Sequence, residues 1–281
     1  MWWLPCDMDK IVELCNKNNI ILLEDCSHAH WSEYKWKKVG TFWDIAAWSL
    51  QWQKTLTWWE WWIFATNNSE YFYRWLLLWH YNKRCKTEIP INHELYRYTT
   101  TGFWMKFRSH PLAIAIANHE LTKLDDYIRI RNEFATLIIS ELKDIDFLLM
   151  PEFDNKKPSW YAFIMKYDES KANNIPIELF LKALNEEWLI EIEIPWSTCP
   201  IHNYPLFSEL SKVKPIFYED KVYKQYDDEF KNAITYFKNI LKFPVWSQEK
   251  DKDIVIKYIK WIKKVAFYIK TDPFLFKNFT K

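Results

Sequence analysis

The 281-residue chain contains only two glycines, Gly40 and Gly102, where average usage would give about 20. Glycine adopts positive φ angles without steric cost, so its scarcity limits the turns and helix ends that the chain can form. Tryptophan, in contrast, occurs nineteen times. Together the two residue types make up roughly the share that glycine alone supplies in an ordinary protein. We therefore hypothesise that many tryptophan positions are glycine positions in their backbone requirements.

Several tryptophans stand where turns are expected. Trp188 directly follows a predicted helix that ends at Asn185–Glu187 and precedes a predicted strand, a position that favours a left-handed backbone. Four others surround Glu60 in a segment too short to bury four indoles: Trp58, Trp59, Trp61 and Trp62. A tryptophan-rich binding surface is the rival interpretation, since aromatic clusters mark interaction sites. Placement at turns rather than at an amphipathic period favours the glycine hypothesis.

Composition places the chain among globular proteins, with 49% apolar and 27% charged residues. The net charge of +1 gives no broad footprint for nucleic acid or an anionic membrane, so neither partner is expected. Five scattered cysteines lack metal-ligand spacing and indicate reduced thiols. No apolar run is long enough to span a membrane, and we expect a cytoplasmic protein. The lysine-rich segment 257–270 allows membrane-surface binding as an alternative, although a solvated amphipathic helix is the simpler interpretation.

Strand-like and helix-like segments alternate in the first half of the chain, which predicts an α/β fold. Residues 8–17 carry apolar residues at helical spacing and precede a short buried strand, 20–23, that runs into Glu24 and Asp25. A second buried strand is predicted at 45–50. Open α/β sheets bind ligands at the carboxyl ends of parallel strands, so Asp25 is a candidate functional residue.

The second half changes to a smaller α+β pattern. A long amphipathic helix is predicted from Pro111 to Leu142, and a strand is predicted at 189–194. We expect three parts, in the order large domain, interdomain helix with a small α+β domain, and helical extension: residues 1–108, 109–245 and 246–281.

Three segments carry the chemistry: EDCSHAH (24–30), SLQWQK (49–54) and KTLTWWEWW (54–62). With glycine at the tryptophan positions they become EDCSHAHG and SLQGQKTLTGGEGG. In this form the chain closely resembles the DegT/DnrJ/StrS family of pyridoxal-phosphate (PLP) dependent sugar aminotransferases, over roughly residues 2–240. The resemblance implies fold type I of the PLP-dependent transferases, an α/β fold in which part of the large mixed-sheet domain precedes a small α+β domain.

The resemblance also implies roles for individual residues. Lys54 would hold pyridoxal 5'-phosphate as an aldimine and move a proton at the substrate carbon. Asp25 would keep the pyridine nitrogen protonated, and His28 would lie against the ring or its phenolic oxygen. Ser49 resembles the residue that hydrogen-bonds the cofactor phosphate. Many relatives have an asparagine in the segment matching 102–108 that reaches the phosphate of the neighbouring subunit, and Lys106 or Arg108 would serve there instead. No metal site is expected, because no histidine or cysteine cluster has zinc spacing.

An amino acid donor, a keto-sugar or keto-cyclitol acceptor and a homodimer are implied as partners. Two alternatives stay open. One is a PLP-dependent sugar dehydratase, although that branch of the family replaces the lysine found here at Lys54. The other is a non-catalytic scaffold or dimerisation fragment, because the chain begins where relatives are already well inside the large domain and an amino-terminal truncation is therefore expected. The fragment as written is expected to be inactive.

A genetic explanation fits the exchange of glycine for tryptophan. The codon UGA is read as stop, as tryptophan or, in some bacterial lineages, as glycine. Translating a UGA-as-glycine gene with a UGA-as-tryptophan table would convert only some glycines, and Gly40 and Gly102 would survive through ordinary codons. Trp160 and Trp246 suit their contexts as tryptophan. Deliberate substitution is the alternative.

Overall fold

The computed structural model describes residue 2 and residues 4–103, 105, 107, 109–208 and 229–277. The chain divides into two compact units. The first comprises Met1–Asn132 and Phe153–Tyr161, and the second comprises Glu133–Glu152 and Ala162–Lys281. The expected division at residues 108 and 245 stays a prediction.

The first unit is built on a three-stranded sheet in the order β1-β4-β5. Strand β1 (Leu23–Asp25) is parallel to β4 (Ile45–Ser49), and β4 is antiparallel to β5 (Trp62–Thr66). A second small sheet pairs β2 (Glu33–Tyr34) with both β3 (Lys37–Lys38) and β7 (Lys156–Lys157). The register places Asp25, the last residue of β1, beside Ala47 of β4.

Five helices begin in the first unit, and two of them begin at a clear start signal. Pro111 occupies the first turn of its helix, where its missing N–H costs nothing. The Asn68 side chain accepts hydrogen bonds from the N–H groups of Glu70 and Tyr71 and so caps the second helix. The helices are α1 (Met8–Asn18), α2 (Ser69–Trp79), α3 (Asn82–Glu88), α4 (Pro111–Leu121) and α5 (Leu124–Leu142), with a 3₁₀ turn at Glu94–Tyr98.

A buried carboxylate fixes the loop that leads into β4. Glu24 is 7% exposed and accepts hydrogen bonds from the N–H of Gly40 at 2.6 Å and of Phe42 at 2.9 Å. Burial raises the pKa of Glu24, and these N–H groups oppose the shift. Because Glu24 belongs to β1, this contact helps to set the position of β4 beside β1, where the strand-end residues meet.

The second unit has an antiparallel sheet in the order β6-β8-β9, formed by Leu148–Leu149, Phe163–Tyr167 and Ile240–Phe243. Its core is aromatic, and the ring of Phe180 packs against those of Phe147 and Tyr167. The helices of this unit are α6 (Ile177–Glu186), α7 (Pro205–Ser208), α8 (Lys231–Lys238), α9 (Lys252–Thr271) and α10 (Pro273–Lys277). Short 3₁₀ turns lie at Trp196–Thr198, Ile201–Asn203 and Glu249–Asp251.

The amphipathic lysine helix predicted near the end of the chain is α9. Lys263, Lys264 and Lys270 on this helix form ion pairs with acidic residues of the same unit. Val255, Ile262 and Ile269 on its other face are buried, each 1% exposed or less. None of the helices in the described ranges combines the length and apolar character that a membrane crossing requires.

Three expectations about secondary structure are wrong. The buried strand predicted at residues 20–23 is instead β1, Leu23–Asp25, which lies at the edge of its sheet. Its first residue, Leu23, is 53% exposed. The helix predicted over residues 111–142 is broken after Leu121, where Thr122 and Lys123 hydrogen-bond three residues back. Residues 189–194 form no strand, and only Glu193 makes a bridge, to Lys242.

Candidate active site

Asp25 lies at the carboxyl end of β1, where the sequence predicted a functional carboxylate. The N–H of Cys26 continues the ladder by donating to the Ala47 carbonyl at 2.8 Å. Asp25 then turns outward, and its Oδ1 accepts a hydrogen bond from the N–H of Ser27 at 3.0 Å. Side chains alternate along a strand, so Asp25 is exposed while Glu24 is buried.

Lys54 and His28 meet at the ring of Tyr161. The His28 and Tyr161 rings stack with centroids 3.9 Å apart and planes 10° from parallel. The Lys54 ammonium lies 4.3 Å from the centroid of the Tyr161 ring, within the range of a cation–π contact. The indole of Trp2 extends the stack, 5.7 Å from His28. The structure therefore brings together two residues that the sequence singled out, and it adds Tyr161.

Burial and neighbouring charges lower the pKa of both principal groups, Lys54 and Asp25, by different balances. Burial lowers the pKa of Lys54, and the nearby Asp25 carboxylate opposes that shift. Burial raises the pKa of Asp25, but the hydrogen bonds from Ser27 and the positive charges of His28 and Lys54 outweigh it and lower the pKa overall. Asp25 thus stays an anion at neutral pH, and Lys54 releases its proton more readily than an exposed lysine.

Ser49 ends β4 beside a cleft of about 410 Å³. Its Oγ accepts a hydrogen bond from the N–H of Gln51 at 3.4 Å. The Ser49 backbone is also a hydrogen-bond partner of the His30 side chain, which is 2% exposed. Desolvation lowers the pKa of His30 to about 4, so the ring is neutral. The other residues that line the cleft are Ser27, Ala47, Trp48, Gln51, Glu60, Trp61 and Trp62.

A second support for the site, Arg131 of α5, was missed by the sequence analysis. One guanidinium nitrogen donates to Thr55 Oγ1 at 2.7 Å and to the Trp160 carbonyl at 3.0 Å. Thr55 follows Lys54 and Trp160 precedes Tyr161, so one side chain connects the backbones that carry both partners. The adjacent Asn132 accepts a hydrogen bond from the indole N–H of Trp160 at 3.0 Å. These contacts join residues far apart in sequence, and no local pattern announces them.

Other candidate residues have structural surroundings or lie outside the description. Lys106, predicted to contact the cofactor phosphate, is outside the described residues. The His110 ring accepts a hydrogen bond from the Leu112 N–H and caps α4. All five cysteines, each within the described ranges, are free thiols. Across these ranges no group of three or more His, Cys, Asp or Glu side chains is arranged to hold a metal ion.

Comparison with known proteins extends over nearly the whole chain. A relative from Bacillus subtilis, the spore coat polysaccharide biosynthesis protein SpsC, is 27% identical over 272 residues, which cover 93% of this chain and 64% of that protein. The GDP-perosamine synthase of Escherichia coli O157:H7 is 29% identical over 75% of this chain and 54% of its own length. The chain therefore spans between about half and two thirds of the length of these two relatives.

Solved structures share the fold. The aminotransferase from Psychrobacter cryohalolentis superimposes with a TM-score of 0.73 at 20% identity, covering 95% of this chain and 67% of its own. The fold is accordingly the α/β fold type I of the PLP-dependent transferases, as the sequence predicted. The sequence model of the DegT/DnrJ/EryC1/StrS aminotransferase family matches residues 1–260. The chain is a member of the DegT/DnrJ/EryC1/StrS aminotransferase family.

Proposed function

We propose that the protein, with glycine at the tryptophan positions of residues 49–62, acts as a PLP-dependent aminotransferase that moves an amino group from an amino acid donor to the keto group of a sugar or cyclitol. The observation that carries the proposal is the convergence on Tyr161 of the Lys54 ammonium and the His28 ring, with the Asp25 anion near both. A homodimer in the cytoplasm belongs to the same proposal and rests on the family resemblance.

The residues present fit the cofactor in their chemistry. Asp25 is held anionic, which suits a carboxylate that must keep a pyridine nitrogen protonated. Lys54 has a lowered pKa, which suits an amine that must act as nucleophile and base. One face of His28 already accepts a flat six-membered ring, that of Tyr161, at stacking distance.

When bound, PLP supplies an electron sink for the negative charge that develops at the reacting carbon. The chain supplies the rest. Lys54 Nζ would anchor the cofactor, and it would carry the proton between the reacting carbon of the substrate and that of the cofactor. Asp25 would hold the proton on the ring nitrogen, and Ser49 Oγ would donate to the phosphate. His28 would fix the plane of the ring.

Retention of Lys54 distinguishes this proposal from its alternatives. The dehydratase branch of the family replaces this lysine, and Lys54 also has no part in a scaffold that only dimerises. The lowered pKa of Lys54 has no use in either alternative, whereas a transaminating lysine depends on it.

The test adds PLP to the chain carrying glycine at the tryptophans of residues 49–62, followed by borohydride reduction and peptide mass spectrometry. We expect PLP to be attached at Lys54, no attachment in Lys54→Ala, and unchanged attachment in the control Lys17→Ala at the end of α1. Asp25→Asn should retain the cofactor and lose at least ~100-fold in turnover, since a neutral amide cannot hold the pyridinium. Attachment at another lysine, or full turnover in Asp25→Asn, would contradict the proposal.

A further inference from the structure

We infer that the protein carries glycine at positions 31, 36, 59 and 188, and that the tryptophans written there arise from UGA codons that the source organism reads as glycine. The inference is independent of the proposed function, because it depends on backbone conformation alone. It also assigns which tryptophans are genuine.

Backbone angles single out tryptophan among all residue types. Positive φ is found in eleven non-glycine residues of the described ranges, and six of them are tryptophan: Trp2, Trp31, Trp36, Trp59, Trp160 and Trp188. Four of the other five are asparagine, the residue type that tolerates this region. Only a few per cent of non-glycine residues adopt positive φ, and a bulky residue there is an outlier. Both written glycines, Gly40 and Gly102, have positive φ as well.

Trp36 occupies a turn with a specific requirement. Strands β2 and β3 are joined by two residues, with Tyr34 opposite Lys37. Lys35 has φ 47° and Trp36 has φ 67°, which is the signature of a type I′ hairpin turn. Such turns strongly prefer glycine at the second central position. The Trp36 indole is 86% exposed and contributes no packing that would favour tryptophan.

Trp188 closes helix α6 in the same way. Its N–H donates to the Asn185 carbonyl at 2.9 Å, and the N–H of Leu189 donates to the Leu184 carbonyl at 3.0 Å. Together with φ 67° at Trp188, these bonds form a Schellman motif, in which the left-handed residue is usually glycine. Leu184 and Leu189 are buried, as the motif requires, while Trp188 is 85% exposed.

Two further positions follow the same logic. Trp31 has φ 61° and stands third in a turn closed by the bond from the Ser32 N–H to the Ala29 carbonyl, the place that a type II turn reserves for glycine. Trp59 has φ 105° and its indole is 77% exposed. Its backbone pairs with Trp52 through a 2.8 Å bond.

The binding-surface interpretation lacks support at these sites. Among the described residues, Trp36, Trp59 and Trp188 stack on no other aromatic ring, and each belongs to a different turn. Three other tryptophans bury an indole N–H that finds no acceptor in the described part of the chain, namely Trp43, Trp58 and Trp79. A buried donor without a partner is rare in native proteins.

Trp160 and Trp246 behave as genuine tryptophans. Trp160 is 1% exposed, and its N–H is satisfied by Asn132 although its φ is positive. Trp246 packs edge-on against Tyr258 at 5.0 Å. Both indoles have the partners that a selected tryptophan has.

The first test reads the gene and the protein of the source organism. We expect UGA codons at positions 31, 36, 59 and 188 and UGG codons at 160 and 246. Peptides from the source should have the residue mass of glycine at the first four positions and of tryptophan at the last two. UGG codons or the tryptophan mass at the first four positions would overturn the inference.

The second test asks whether the backbone itself prefers glycine. Trp36→Gly and Trp188→Gly are made singly in the full chain, with Trp160→Gly and Trp246→Gly as matched controls. The midpoint of urea unfolding should rise in the first pair, because a left-handed strain is removed. It should fall in the second pair, because the contacts of Trp160 with Asn132 and of Trp246 with Tyr258 are lost. A fall in the first pair equal to that in the controls would count against glycine at those positions.

Discussion

Neighbouring residues of one strand acquire opposite properties from their surroundings. Glu24 faces the interior, where burial raises its pKa and three backbone N–H groups hold it. Asp25 faces outward, where Ser27, His28 and Lys54 lower its pKa. The alternation of a β-strand is enough to separate a structural carboxylate from a candidate catalytic one.

His30 gives a prediction for the dependence of stability on pH. Its pKa is lowered from 6.5 to about 4, mainly by burial, so the unfolded chain binds a proton in this interval and the folded chain does not. The free energy of unfolding should therefore decrease as pH falls from 6.5 to 4, by about 3 kcal/mol in total.

Urea unfolding across this interval tests the prediction. His30→Asn should remove most of the decrease, whereas the exposed control His119→Asn on α4 should leave it in place. The same pH dependence in wild type and His30→Asn would show that other groups cause it.

At the scale of elements, α5 holds two distant segments in place. Arg131 bonds Thr55 and the Trp160 carbonyl, and desolvation lowers the pKa of its guanidinium to about 10. Arg131→Met should reduce the free energy of unfolding by about 2–3 kcal/mol, because a charged donor with two acceptors is lost. PLP attachment to Lys54 should become slower in the same variant.

The matched control is Arg129→Met, an exposed position on the same helix, which should change stability by less than about 0.5 kcal/mol. Acetic anhydride labelling of Lys54 as a function of pH provides a second measurement, since displacement of Lys54 alters its pKa. Identical stability and labelling in the two variants would remove Arg131 from this positioning role.

The sequence predicted the elements with strong local signals and failed where tertiary contacts decide. Helix α1, strand β4 and the start of α4 at Pro111 follow from apolar spacing and a proline at the first turn. The break at Thr122 carries no glycine or proline signal, and it leaves Leu112 69% exposed while Leu124 is fully buried. Alternating isoleucines at 189–194 resemble a strand, but the turn at Trp188 leaves Ile190 70% exposed.

The candidate site divides in the same way. Asp25, His28, Ser49 and Lys54 lie in the short motifs that carry the family resemblance, and they were identified through it. Tyr161 and Arg131 reach the site through contacts between residues far apart in the chain. Lys54 and Tyr161 are 107 positions apart, and Arg131 and Thr55 are 76 positions apart. Such contacts depend on the whole first unit, which is why a single sequence read locally does not reveal them.

At the scale of the whole molecule, the left-handed tryptophans become a question of total stability. Left-handed strain costs roughly 1–2 kcal/mol per residue, and six described tryptophans have positive φ. Their sum, on the order of 6–12 kcal/mol, is comparable to the ~5–15 kcal/mol that stabilises a folded domain. Tryptophan at all of these positions therefore removes a large part of the stability that the fold would otherwise have.

Backbone strain near Lys54 is confined to one tryptophan. Residues 49–62 contain five tryptophans, and among them only Trp59 has positive φ. The remaining disturbance is one of packing, because the indole of Trp58 is buried with its N–H unpaired among the described residues, while Trp61 and Trp62 line the cleft beside Ser49. Indoles that fill this cleft compete with a ligand for the same space.

We therefore predict that the chain as written does not bind PLP productively, although Lys54 and Asp25 are present. Replacing all five tryptophans of residues 49–62 by glycine should strengthen PLP binding roughly 5- to 30-fold, since relief of one strained position is worth about 1–2 kcal/mol. The measurement is a PLP titration followed by visible absorption. Trp188→Gly alone, which relieves the same kind of strain in the other unit, is the matched control and should leave the affinity unchanged. Tight binding by the chain as written would show that the loop accommodates its indoles and that the prediction is wrong.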